Sequence, residues 1–387
     1  MAALRREMDM RPTMLVALVA GVAGAIGVVI GMIVDPRRAF AGYLAAWSAV
    51  ATVAIGGLAM LLIGYAANAR WPAAIRRPSE AVALGVLPVA LLAIPLLVWP
   101  EHVWPWVHPA PAHVHAVEVK RVYLSLPFFR ARSLVYFAIF VIPAELLRRW
   151  SRLRDSTPSP VLDRERTLAC AMLPLVGLAL TFGSFDWLMS LQPDWWASGF
   201  GLYVICAALL AGMAMIIIVS YRGVATGTTP LRGAHFHAMG RMLHAYVILW
   251  TYIAYFQAML IQIANRPSEA TFYVARSYDG WRVVTALVLV LLFALPFSLL
   301  FPRRLKRRPR YVAGIAVMIL VGHYLDMWWL VIPRVSSAPV PTWTDSAALL
   351  AIAGLTTAAC AWRMHRSPSL PVGDPYLVEG LAYETST

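Results

Sequence analysis

Residues 198–221 read Ser198-Gly-Phe-Gly-Leu-Tyr-Val-Ile-Cys-Ala-Ala-Leu-Leu-Ala-Gly-Met-Ala-Met-Ile-Ile-Ile-Val-Ser-Tyr221, without one Asp, Glu, Lys or Arg. Lipid offers the backbone no hydrogen-bond partner. A crossing segment must therefore be a helix of about 20 mostly apolar residues. This run meets that condition. Nine others do so near 13–34, 40–66, 80–100, 132–150, 167–191, 239–264, 280–301, 311–333 and 343–364. The expected fold class is all-α, a polytopic transmembrane helical bundle of about ten spanning helices. Residues 1–366 form the integral membrane domain, and 367–387 a cytoplasmic tail, solvated or bound to a partner.

Composition agrees. Of 387 residues, 60% are hydrophobic and 13% charged, with a mean hydropathy of +0.68. Soluble domains carry about 25% charged residues. The net charge of +14 sits in the loops and lines no face of a soluble element, which argues against nucleic acid. With the N-terminus inside, about two-thirds of all Lys and Arg fall on the inner side, so both termini read as cytoplasmic. The run Thr13–Val34 follows Arg5, Arg6 and Arg11. It exceeds the roughly 7–15 apolar residues of a signal peptide and reads as a retained first helix. Cys170, Cys206 and Cys360 each lie in an apolar run. With no C-x-x-C or C-x-x-C-H, neither covalent haem nor a cysteine-held cluster is expected.

Two loops look like more than connectors. Residues 101–131 hold His102, His108, His113 and His115 with Pro and Trp, and suggest an external docking surface. Residues 151–165 form a charged inner loop. Trp99, Trp104, Trp106, Trp195 and Trp196 mark one interface, Trp71 and Trp150 the other.

Ionisable groups at membrane depth are costly and are functional candidates for that reason. They are Glu145, Asp186, His244, His323 and Asp326. From His244 at 100° per residue, Thr251 falls at about −20°, Tyr255 at about +20° and Gln262 at about 0°, one narrow stripe. Such a stripe serves either as a proton path or as an interhelical hydrogen-bond seam. His323 and Asp326, spaced i and i+3, share a face. They read as a proton acceptor with its partner, as one wall of a quinol pocket, or as a neutralised structural pair. Asp186 beside Trp187 either joins these or caps a turn and holds the outer loop. His113-x-His115 and His235-x-His237 lack the companions of a metal site, and no catalytic or metal-ligating residue is assigned. No nucleotide-binding or hydrolase motif is present.

Phe185-Asp-Trp-Leu-Met-Ser-Leu-Gln-Pro-Asp-Trp-Trp-Ala-Ser-Gly-Phe-Gly201 resembles a signature of the F subunit of bacterial alternative complex III, a quinol:cytochrome c oxidoreductase. Gly240–Gln257, Ile263–Glu269 and the Arg76-Arg77 segment are similar in kind, and the likeness spans roughly 13–335. Trp196 stands where that family has Phe, and Ala197 where it has Ser. The resemblance implies eight helices in two four-helix bundles plus two peripheral helices, as in the polysulfide-reductase membrane subunits. It implies a bacterial inner membrane and a scaffold that conducts protons or associates with quinone. It implies no covalently bound cofactor, with menaquinol or another quinol in the complex. The implied partners are an iron–sulfur subunit, multihaem and monohaem cytochrome c subunits, a related membrane subunit and a terminal oxidase. Only Asp186 within the motif carries over residue by residue. Two other readings stand beside this one. A secondary transporter would show discontinuous helices in an inverted repeat. A structural anchor would need none of the intramembrane polar groups.

Overall fold

A computed structural model describes residues 8–157 and 162–384. Helices are its only regular elements, and ten are long and apolar enough to cross a membrane. They are α1 Arg11–Val34, α2 Pro36–Ala66, α3 Trp71–Val98, α4 Leu126–Ser156, α5 Asp163–Leu191, α6 Phe200–Ala225, α7 Gly233–Ala264, α8 Trp281–Leu299, α9 Pro309–Arg334 and α10 Trp343–Met364. The polytopic bundle read from the apolar runs is the observed fold. Several helices outrun those runs. α4 gains residues at both ends because arginines extend the helix while their long stems reach back to the apolar boundary.

Helices α2 to α5 pack together, α6 to α9 form a second group, and α1 pairs with α10 along the outside of α2. The centre is α2, whose apolar core is 78% buried, against 22% for α8 at the rim. Apolar side chains gain little by leaving lipid for protein, so close packing must supply the attraction. Small residues make that possible. A β-carbon on Gly56 of α2 would overlap the Ala208 carbonyl of α6, and one on Gly212 would overlap the backbone of Gly56. Gly21 and Gly24 of α1 meet Gly354 and Ala351 of α10 in the same way.

Two spans are interrupted. α3 changes course near Pro88 and Pro95, each of which lacks an N–H. Side chains of α2 reach its carbonyls: Trp47 Nε1 donates to Val89 O at 2.9 Å and Tyr43 OH to Leu92 O at 2.7 Å. In α8 a π-helical turn at Val290–Ala294 precedes Pro296, which cannot donate to the turn before it.

Ten crossings return the chain to its starting end, where Met8 N donates to Ser367 O at 3.1 Å. This is called the terminal end, and the opposite one the loop end. Residues 367–384 are not the solvated or partner-bound extension anticipated for 367–387, of which 385–387 lie outside the described residues. They fold back as a strap across the terminal end, burying Leu370 and Leu377. Asp374 pairs with Arg76, and Arg148 Nη2 donates to Ser367 Oγ at 2.6 Å. Arg232 N donates to His235 Nδ1 at 3.0 Å. The proton of His235 is therefore on Nε2, which donates to Gly380 O at 2.8 Å. Part of the charged loop between α4 and α5, 158–161, lies outside the described residues.

Replacing Gly212 with Val should cost about 3 kcal/mol, because backbone cannot move aside for it. Gly177→Ala, whose new β-carbon meets nothing within 4 Å, should be neutral or gain up to about 1 kcal/mol. Thermal unfolding in detergent, followed by tryptophan fluorescence, checks both.

Candidate functional site

The Phe185-Asp-Trp segment turns out to be a joint. Asp186, 1% exposed, is held in a two-pronged ion pair by Arg132 of α4, with Nε at 2.9 Å and Nη2 at 2.7 Å. Tyr136 OH donates to the same carboxylate at 3.0 Å. The Arg132 guanidinium lies over the rings of Tyr123 and Phe128, at 3.9 and 4.2 Å. Trp187 Nε1 donates to Ser133 Oγ at 3.1 Å. Trp104 Nε1 donates to Trp187 O at 3.2 Å, and Trp106 Nε1 to Ser190 Oγ at 3.3 Å. The motif thus anchors the tryptophan-rich loop between α3 and α4 onto α4 and α5. Every oxygen of Asp186 is occupied by this work.

Asp326 is in a different situation. Its residue is 0% exposed in α9. One carboxylate oxygen accepts from Tyr203 OH of α6, while Oδ2 has no partner and no cation lies within ion-pair distance among the described residues. Other buried polar atoms without partners in this helix group include Trp250 Nε1 and Gln257 Oε1 of α7. The Trp250 and Tyr203 rings stand 5.8 Å apart. Arg276 closes the loop-end side. It donates to Phe272 O at 2.8 Å, Trp329 O at 3.1 Å and Leu330 O at 2.9 Å, and lies 3.6 Å over the Phe272 ring. It therefore satisfies carbonyls at the C-terminal end of α9 without any carboxylate. Burial lowers its pKa to about 9, against which Tyr273 and Tyr203 pull upward. Burial likewise lifts the Tyr273 phenol to about 12. Tyr203 meets Asp326 by a hydrogen bond and Trp250 by a ring contact, which leaves Asp326 Oδ2 an unused acceptor and Trp250 Nε1 an unused donor on either side of it. A buried carboxyl oxygen of this kind can hold a water or pass a proton.

His323 shares the α9 face of Asp326 but not its partner. Its Nε2 lies 2.8 Å from Thr52 Oγ1 of α2, and no hydrogen bond joins it to Asp326. The anticipated acid–histidine unit is thus two separate contacts. The α7 stripe also fails as a buried path within this chain. Tyr255 is 66% exposed, Gln262 is exposed, and Thr251 Oγ1 returns its proton to Val247 O at 2.8 Å. His244 meets only the edge of Phe297, with Nε2 unpartnered. The buried face of α7 carries Leu243, Val247, Trp250 and Gln257 instead. The reason is physical: a threonine can satisfy itself on its own helix and a tyrosine is at home at the lipid boundary, so polarity did not tell the inner face from the outer.

Glu145 pairs with Arg363 of α10 at the terminal end. Nearby, Glu80 accepts from Arg77 at 2.6 Å and Arg148 at 2.8 Å, while Arg77 also pairs with Asp155. This network was missed, although Arg77 and Glu80 at i and i+3 were a visible signal. At the loop end His113 bonds Asp194, and His115 does not join it. The chain matches no protein-family model, and no curated protein is similar to it.

Asp186→Asn should cost about 3–5 kcal/mol, because it leaves Arg132 buried without its counter-charge. Asp326→Asn keeps the shape and an acceptor for Tyr203 and has no ion pair to lose, so its cost should stay below about 1 kcal/mol. Paired melting curves in detergent decide this. Equal losses would show that Asp326 carries a structural charge.

Proposed function

We propose that this protein is an integral membrane subunit of a respiratory electron-transfer complex. The particular reading is a subunit similar to the F subunit of alternative complex III. It serves as a scaffold for its partners and passes protons through the Asp326 cluster. The observation carrying the proton role is Asp326 itself: a fully buried carboxyl with a tyrosine on one oxygen, nothing on the other, and no cation. A carboxyl retained in lipid without a structural partner is hard to explain except by its chemistry. The Phe185–Gly201 motif supports the family reading, and the charge bias supports a cytoplasmic terminal end. The loop end would then meet the cytochrome and iron–sulfur partners, with quinol oxidised in the assembly.

The interrupted α3 and α8 favour a secondary transporter as the second reading. Against it, the α3 carbonyls that Trp47 and Tyr43 occupy are closed to a solute.

A tagged chain purified from its native membrane should bring haem-containing partners and quinol-dependent cytochrome c reduction with it. Purification of the chain alone, free of haem, would overturn the complex. In vesicles holding the complex, Asp326→Asn should lower protons moved per electron while electron transfer continues. An unchanged ratio would leave this subunit a scaffold.

A further inference from the structure

At the terminal end, α1, α4 and α10 leave a hollow of 670 Å³ between them. Five arginines line it: Arg11, Arg148, Arg152, Arg363 and Arg366. Among the described residues two carboxylates form ion pairs with them, Glu80 on Arg148 and Glu145 on Arg363, while Asp9 accepts from Arg11 N and lies beside His365 at the rim. Glu80 is shared with Arg77. Arg11, Arg152 and Arg366 enter no ion pair there. Arg363 Nη1 is buried without an acceptor, and so is Oε1 of its partner Glu145 without a donor. An adjoining hollow of 390 Å³ shares Arg148, Arg152 and Arg363 and adds Arg149. Like charges brought together at this density repel unless an anion sits among them.

The surroundings say which kind of anion. The same hollow is lined by Leu15, 55% exposed, and Trp362, 68% exposed, both on membrane-spanning helices. Guanidinium groups above, an aromatic ring at their level and an apolar flank below are the environment of a lipid headgroup. Guanidinium also matches phosphate oxygens in two-pronged bonds. The hollow falls within the roughly 300–1,000 Å³ of ordinary ligand sites.

We infer that this arginine hollow binds the phosphate of an anionic membrane phospholipid, its chains lying along Leu15 and Trp362. Arg152 and Arg366 hold the charge. The site is independent of the Asp326 cluster and of the proton role.

The test is native mass spectrometry of the full chain in neutral detergent with added phosphatidylglycerol, phosphatidylcholine or inorganic phosphate. Arg152→Gln with Arg366→Gln strands no carboxylate, so the fold should persist with an unchanged lipid-free melting temperature. Phosphatidylglycerol binding should weaken about thirty-fold. Arg304→Gln with Arg310→Gln, outside the hollow, should leave it unchanged, and phosphatidylcholine should not saturate either form. If the double variant misfolds, Arg366→Gln alone should weaken binding several-fold. Equal phosphatidylglycerol binding in the wild type and the hollow variants would overturn the site. So would equal loss in the Arg304–Arg310 control. Inorganic phosphate competing at equal concentration would make it a phosphate site and overturn the lipid. Unchanged lipid binding with loss of a protein partner from the purified assembly would make it a protein joint and overturn the lipid as well.

Discussion

Inside a bilayer no solvent completes a hydrogen bond, and this one constraint organises the molecule. It makes every crossing a helix. It gives the donors of Trp47 and Tyr43 their acceptors on carbonyls of α3, near the prolines that interrupt its ladder. It also sets how helices adhere. With little hydrophobic gain between them, α2 and α6 approach until glycine is the only residue that fits at their crossing. The same constraint makes an unpaired polar atom informative, since there are few ways to excuse one.

Measured that way, two of the buried acids, Asp186 and Asp326, are opposites. Asp186 has a bidentate arginine, a tyrosine and a loop to hold. Asp326 has a tyrosine and an empty oxygen. Sequence position alone makes both look alike, an acid in an apolar run. Only their neighbours separate an acid fully engaged by its partners from one with an oxygen left over.

The spans were legible because lipid imposes length and hydropathy residue by residue. The site was legible only in part. Asp326 stood out by its charge, yet Tyr203, Gln257 and Arg276 lie on other elements, and nothing local marks which residues meet across a bundle. The α7 stripe from His244 to Gln262 had the right periodicity and the wrong face. In water, polar residues mark the outside of a helix. In a membrane protein both faces tolerate Thr and Tyr, so the rule loses its sign. The residues after 366 were misjudged for a related reason. Their leucines are sparse, and what fixes them is Asp374 and Ser367 meeting arginines from α3 and α4.

That strap has a consequence for the order of assembly. Arg76 and Arg148 enter the membrane boundary with early spans, but Asp374 and Ser367 are synthesised after α10. Until then Arg76 lacks its carboxylate and His235 lacks its acceptor, and an uncompensated guanidinium resists burial. The terminal end therefore stays hydrated through most of synthesis and dries only when the last segment docks. An intermediate missing a span would keep these arginines in water.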